Sequence, residues 1–307
     1  MSSLVIINPN SAHGRTRKNW KAWEERLKEA IGPFETAWTR ARGDGETLTR
    51  AALSRGVAHI HALGGDGTAH EVINGFFDGA KSIAPEATLS LWPAGSGCDF
   101  WRYLDRVKMT SERQIIPIDL GRAHYMNHAG LSESRYFLNV ASCGISGVID
   151  QIMDQRGRLK LWGGPLAYML ATLEGLLVYE NKRVAIKSSA GDWGYLPLRC
   201  AAFANGRYFG AGMKIAPAAE IDDGTLDLVV LGDIGRFDAI AHTPQLYRGT
   251  HLSHSKIRHG KITEAYLQSE ERVLVDLDGE AVGTLPLRIE IIPRALSLLL
   301  FPRASAL

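Results

Sequence analysis

Cysteine is scarce in this chain of 307 residues, which has only Cys98, Cys143 and Cys200. An odd, widely separated set builds neither a disulfide framework nor a paired-cysteine zinc site, and suits a reducing cytoplasm. Charge of one sign is missing too. With 35 Lys and Arg against 33 Asp and Glu the formal net charge is +2. No surface-wide field exists to hold nucleic acid, so an anionic partner must be met locally. Long hydrophobic runs are also absent. The start, MSSLVIINPN, has no basic region and a short apolar run, and reads as a buried strand, not a signal peptide. The stretch 161–179, LWGGPLAYMLATLEGLLVY, is broken by Gly163, Gly164, Pro165 and Glu174, which excludes a transmembrane segment. Internal repeats and low-complexity tracts are lacking. A hydrophobic fraction of 45% and a charged fraction of 22% are those of a globular chain, whose length favours two domains or one large one.

Several nucleotide motifs are missing as well. There is no GxxxxGK[ST], GSGCDF lacks the third glycine of GxGxxG, and neither HRD nor DFG occurs, which disfavours P-loop NTPases, Rossmann dehydrogenases and protein kinases.

What is present is alternation. LVII (4–7) leads through NPNSAHGR into a helical pattern with Trp20, Trp23, Leu27 and Ile31 on one stripe, closed by Gly32 and Pro33. VAHIHAL (57–63) runs into GGDGT and a helix whose Thr68 and Glu71 have capping-box spacing. LSLW (89–92) runs into PAGSGCD and the helical FWRYL. Strand, loop and helix in succession predict an α/β N-terminal domain over 1–122, a parallel sheet with covering helices. Beyond it, YFLNVAS (136–142), RVAIKS (183–188), LRCAAFAN (198–205), LDLVVL (226–231) and RVLVDL (272–277) are strand-like, with two helices near 147–156 and 165–179. That predicts a mainly β C-terminal domain over 123–289, while the apolar segment from 290 to 307 is expected to return to the first.

Gly64, Gly65, Asp66, Gly67 and Thr68 stand where a strand ends and a helix begins. Glycine removes side-chain bulk, so a ligand can approach free amides and the positive end of a helix dipole, the requirement for binding phosphate. The plainer reading is a tight turn. The second loop, PAGSGCD (93–99), repeats the arrangement on a neighbouring unit, and parallel sheets bind ligands at the carboxyl ends of their strands.

In these loops, and in NPNSAHGR, Thr39, EVINGF (71–76), NVASCGISG (139–147), NGRYFGAGMKIAP (205–217), DDGTLDL (222–228) and DGE (278–280), the chain resembles the diacylglycerol kinase catalytic family. That family includes bacterial lipid kinases, sphingosine kinases and ceramide kinases, with NAD kinases as more distant relatives. The resemblance implies an NAD kinase-like first domain, a β-sandwich as the second, and an ATP- and magnesium-dependent kinase acting on a lipid hydroxyl, diacylglycerol first among acceptors. It implies a peripheral, cytoplasmic enzyme meeting its lipid at a membrane surface; a homodimer is left open.

The resemblance further implies that Asn8, Thr39, Gly64 to Thr68, Glu71 and Ser96 line the ATP site, with Asp66 serving the nucleotide's magnesium. Where the family has GTxND this chain has GSGCD, so Ser96 keeps the hydroxyl and Cys98 loses an amide. By the same resemblance Glu280 accepts the hydroxyl proton, Asp278 stands close to the same phosphate, and the two domains face each other across a cleft. Seen alone, DGE is a two-residue hairpin turn. Asp223, Glu220 and Thr225 correspond to a structural magnesium site; without the resemblance the segment is a turn.

Two readings stay bland. The segment 242–261 holds four of the ten histidines and is taken as a solvated basic surface able to touch anionic headgroups; a zinc site from His251, His254 and His259 has the wrong spacing. The apolar helix over 165–179 is core, or else a wall of a lipid pocket. The alternatives to a lipid kinase are an NAD kinase-like small-molecule kinase and a non-catalytic nucleotide- or lipid-binding regulator.

Overall fold

Parallel strand pairing organises the first half of the chain. The computed structural model describes residues 2–95, 97–108, 112–155 and 164–302, in two compact units, Met1–Ile118 resuming at Arg294 and Asp119–Pro293.

In the first unit, strands β1 (Ser3–Ile7), β2 (Glu35–Trp38), β3 (His59–Gly64) and β6 (Thr88–Pro93) stand in the order β6-β3-β1-β2, with a two-residue hairpin, β4 (Phe77–Asp78) and β5 (Lys81–Ser82), set apart. Leu4 pairs with Ile60 and Ile60 with Leu89, all parallel. Past Arg294 the chain adds another parallel strand, Ser297 against Thr88 and Leu298 against Leu89. Strands buried on both faces carry continuous apolar runs, as LVII does here. Helices α1 (Ser11–Lys18), α2 (Trp20–Ile31), α3 (Asp44–Ser54), α4 (Asp66–Asn74) and α5 (Asp99–Tyr103) cover the sheet. The predicted stripe of α2 packs as expected: Leu27 is buried among Val5, Ile7, Leu63 and Trp92, with Trp20, Trp23 and Ile31 against them.

The second unit is built of antiparallel strands. Its long strands are β7 (Gln114–Asn127), β8 (Ser132–Phe137), β9 (Val140–Gly144), β10 (Lys182–Ser188), β11 (Gly191–Leu198), β12 (Cys200–Ala204), β13 (Leu226–Leu231), β14 (Ile257–Ile262), β15 (Glu264–Gln268), β16 (Leu274–Leu277) and β17 (Glu280–Leu300). One layer runs β14-β13-β12-β9-β16-β17. β17 then passes to β15, which pairs with β10, itself paired with β11. Phe137, Val184, Ile186, Phe203, Leu228, Leu267, Val275 and Leu287 fill the buried core between them, the inward halves of alternating strands. Helices α6 (Ile145–Gln155), α7 (Gly164–Val178) and α8 (Arg236–Arg248) complete the unit.

Two local expectations are corrected. α4 begins at Asp66 with Gly65 as its N-cap and no side-chain cap, so Thr68 lies inside the first turn and does not form the capping box expected with Glu71. The segment 242–261 is not one basic surface, since it is divided among α8, a short 3-10 turn at His251–Ser253 and β14.

Candidate functional site

Asn8 follows the last residue of β1. Its backbone N–H donates to Leu63 O at 3.0 Å, and its Nδ2 donates to Thr68 Oγ1 at 3.0 Å. β1 is thereby tied to the turn after β3. Within the range given for α1 the backbone departs from a right-handed helix and is wound left-handed at Ala12 (φ 49), His13 (φ 60) and Gly14 (φ 79). Non-glycine residues held there are strained, and such strain gathers where a chain shapes a ligand site. Nothing in the sequence pattern signals it at Ala12 and His13.

The two glycine loops meet backbone to backbone. A Cβ on Gly95 would stand 2.5 Å from Gly65 Cα, and one on Gly97 would stand 3.2 Å from Asp66 Oδ2. Asp66 joins them, its Oδ2 accepting the Asp99 backbone N–H at 3.2 Å. The first-turn amides of α4, uncapped by any side chain, open beside this junction with the helix dipole behind them. Asn8, Gly64, Gly65, Asp66, Gly67 and Thr68 are thus gathered at the carboxyl ends of parallel strands. Ser96 lies outside the described residues. Burial, with the charge of Asp66 adding to it, pushes the Cys98 thiol up to about 12, so Cys98 is no thiolate and is chemically quiet.

Two sequence candidates are used otherwise. Thr39 is buried, its N–H donating to Ile7 O at 2.9 Å. Glu71 turns toward α3, where its carboxylate accepts the N–H groups of Gly43 at 2.8 Å and Gly45 at 2.9 Å. It caps a neighbouring helix and is not presented to the loop junction.

In the second unit, DGE forms a two-residue turn between Leu277 and Glu280, with Asp278 (φ 52) and Gly279 (φ 87) both left-handed, the geometry that Asp-Gly favours. Asp278 Oδ2 accepts Leu138 N–H at 2.9 Å, and its Oδ1 accepts those of Asn139 at 2.8 Å and Val140 at 3.1 Å. Three amides on one carboxylate fix the turn to the start of β9, so Asp278 acts as an anchor. Glu280, half-buried, follows it. Behind the turn, Asp276 accepts the Gly279 N–H at 3.1 Å. Burial together with the neighbouring carboxyl of Asp150 raises Asp276 well above the usual carboxylate range. Sequence reasoning missed this pair because Asp150 belongs to a distant helix.

The DDGT turn carries its own cations. Asp223 Oδ1 accepts from Thr225 N at 2.9 Å and Oγ1 at 2.7 Å, and its Oδ2 accepts from Lys261 Nζ at 2.5 Å. Against a burial that opposes it, the hydrogen bonds from Lys261 and Thr225 hold the Asp223 carboxyl below its ordinary value. Glu220 is paired with Arg207. With both carboxylates already neutralised, Asp223, Glu220 and Thr225 do not fit a resident magnesium ion, which would have to displace an ammonium.

His251 is buried, its Nε2 facing Ile215 O at 3.0 Å, so it joins no site with His254 and His259. His254 instead meets Asp238 at 3.4 Å, and Asp238 also meets His242 at 2.9 Å. His254 Nδ1 accepts the Lys256 N–H at 3.1 Å. The neutral ring then carries its proton on Nε2, the nitrogen that would face a metal. The cluster is a hydrogen-bonded carboxylate–histidine group.

Beside it lies an apolar recess of about 80 Å³, walled by Ile145 and Ile149 of α6, Tyr168, Thr172 and Leu176 of α7, and Met213 and Leu246. Cys200 forms part of its floor, with a thiol raised to about 12 by burial.

Comparison with known proteins accords with both halves. Residues 2–127 match the diacylglycerol kinase catalytic domain, and residues 139–300 match the YegS C-terminal NAD kinase beta sandwich-like domain. A diacylglycerol kinase of Bacillus subtilis is 28% identical over 291 residues, spanning 92% of this chain and 90% of the relative. A crystal structure of a Bacillus anthracis diacylglycerol kinase shares the fold with a TM-score of 0.68 at 21% identity, over 99% of this chain and 98% of that one. Yeast NADH kinase shares it more loosely, with a TM-score of 0.54 at 10% identity over 99% and 84%. Two glycine loops in backbone contact, a β-rich second half and both family matches together establish that this chain is a kinase belonging to the diacylglycerol kinase catalytic-domain family, with a YegS-type second domain.

Proposed function

We propose that this chain is a lipid kinase, transferring the γ-phosphoryl group of magnesium-bound ATP to a lipid hydroxyl, diacylglycerol or a close glycerolipid first among acceptors. The observation that carries the reading is the contact between Gly65 and Gly95 beside the uncapped start of α4. That junction has the character of a polyphosphate cradle on the first unit, with Asn8 and the residues from Gly64 to Thr68 around it. In support of the acceptor class, the apolar recess of the second unit has walls suited to an acyl chain, and the Bacillus subtilis relative is named a diacylglycerol kinase.

Magnesium arrives with the nucleotide and would neutralise its phosphates, Asp66 being the carboxylate suited to hold it. The lipid hydroxyl oxygen forms a bond to the γ-phosphorus, the bond from that phosphorus to the β–γ bridging oxygen breaks, and ADP leaves. The hydroxyl proton passes to the Glu280 carboxylate. Asp278 positions Glu280 through the three amides that it accepts. Nothing else covalent is asked of the protein, because phosphoryl transfer depends on positioning and charge neutralisation. The enzyme works in the cytoplasm, peripherally to the membrane that holds its substrate.

The test is a panel of lipids, with NAD as a further acceptor, incubated with labelled ATP and either the unaltered protein or Glu280→Ala. Transfer to a lipid that falls by roughly 10²- to 10⁴-fold in the variant is expected. Transfer to NAD alone, or to no acceptor, would refute the lipid-kinase reading; equal transfer by both proteins would remove Glu280 from the mechanism.

A further inference from the structure

Helix α7 is apolar on both sides. Toward the protein, Tyr168, Thr172 and Leu176 wall the recess. Away from it, Leu166, Met169, Leu170, Leu173 and Leu177 are exposed, Met169 to 54% and Leu177 to 48%. Their spacing of three and four residues sets them in one stripe about 100° wide. Glu174, the only Asp, Glu, Lys or Arg of the helix, stands four residues after Leu170 and three before Leu177, at the edge of the stripe and not in its middle.

At the carboxyl end, Arg236 of α8 holds Glu180 at 3.2 Å. The next residue, Phe237, is 84% exposed. An aromatic ring and a guanidinium therefore stand beside the end of the stripe.

We propose that this outer face of α7, with Phe237, is the surface by which the protein docks on a lipid bilayer, α7 lying in the interfacial plane. The composition favours lipid over a protein partner. The stripe consists of flexible Leu and Met side chains, without the Trp, Tyr and Arg anchors that concentrate binding energy between proteins. A helix apolar all round meets hydrocarbon on both sides or lies in a core, and here its inner side already borders an apolar recess. No helix among the described residues is long and apolar enough to cross a membrane, which leaves α7 to lie along one. Arg236 is offset by Glu180, so the contact is apolar in character, and Phe237 suits the interfacial level that aromatic rings occupy. The proposal rests on the lipid-kinase reading in that a bilayer is where such a substrate resides, and the same helix would separate bilayer from recess.

The experiment compares the unaltered protein with Met169→Gln, Leu173→Gln and Leu177→Gln combined, and separately with Phe237→Ser. Co-sedimentation uses vesicles of phosphatidylcholine with 30% phosphatidylglycerol. Phosphoryl transfer is measured to a short-chain, water-dispersed diacylglycerol, and the melting temperature checks folding. The expected result is at least tenfold weaker partitioning for the triple variant, a smaller loss for Phe237→Ser, and an unchanged melting temperature. Unaltered vesicle binding by a folded triple variant overturns the docking surface. So does a concentration-dependent dimer that the triple variant abolishes, which would make the face a contact between copies. Transfer to the dispersed acceptor reports separately on the kinase reading: its absence in the unaltered protein refutes that reading, whereas its presence beside unaltered vesicle binding refutes only the docking face.

Discussion

At the scale of single residues, two buried titrating groups oppose each other. Burial, reinforced by the nearby charges of His59 and Arg113, presses the His61 imidazole down to about 3, while its Nδ1 is partnered by the Ser90 hydroxyl. The unfolded chain binds a proton near pH 6.5 that the folded chain refuses. Stability from this group is therefore complete above pH 6.5 and lost as pH falls toward 3, at up to about 1.4 kcal/mol per pH unit. Asp276 has the reverse sign. Its raised folded pKa means that the folded state keeps a proton which the unfolded state releases above about 3.8, so stability declines as pH climbs from there through the raised value. Asp276→Asn cannot ionise, can still accept from Gly279, and can donate to Asp150. It should melt a few degrees higher than the unaltered protein at pH 8, with the gap closing toward pH 4, as thermal scans across pH would reveal. His61→Gln should flatten the acid side of the same profile; parallel acid limbs would assign that loss to other groups.

At the scale of elements, the glycine junction is where chain geometry leaves least room. A methyl group on residue 95 would meet main chain at 2.5 Å, and backbone cannot swing aside as a flexible side chain can. Gly95→Ala should push the loops apart, weakening nucleotide binding at least tenfold by calorimetry while leaving far-UV circular dichroism near that of the parent. The loops themselves were readable, because the apolar runs of β1, β3 and β6 and the glycines after two of them are local signals. So were α6 and α7, predicted near 147–156 and 165–179 and found at Ile145–Gln155 and Gly164–Val178. Helix α8 was not, for it holds Pro244 and buries no residue fully, so neither periodicity nor composition marks it. α3 was hidden for another reason, since the carboxylate that caps it, Glu71, comes from a different helix. Asp278 shows the same limit at the site. Its type and turn were legible, yet its three amide partners lie about 140 residues earlier in the chain, and only the pairing of β16 with β9 brings them together.

At the scale of the whole molecule, the question is whether folding needs a metal. The DDGT turn resembles a structural magnesium site in sequence, yet here Lys261 stands opposite Asp227 in the β13–β14 register and also reaches Asp223. One ammonium serves two carboxylates, tying the turn to β14 by a monovalent cation that the chain itself supplies. A resident divalent ion would stabilise the fold by mass action, about 2.7 kcal/mol at a hundredfold excess over its dissociation constant, or roughly 5 °C for a chain of this size. The unaltered protein should therefore melt at the same temperature in EDTA as in millimolar magnesium. Lys261→Ala uncovers Asp223 and Asp227 and should gain a melting temperature that rises with magnesium. Phosphoryl transfer should still be lost in EDTA, since the nucleotide brings its own ion. A rise of several degrees for the unaltered protein would mean that magnesium displaces Lys261 and that the sequence resemblance at Asp223 extends to its chemistry.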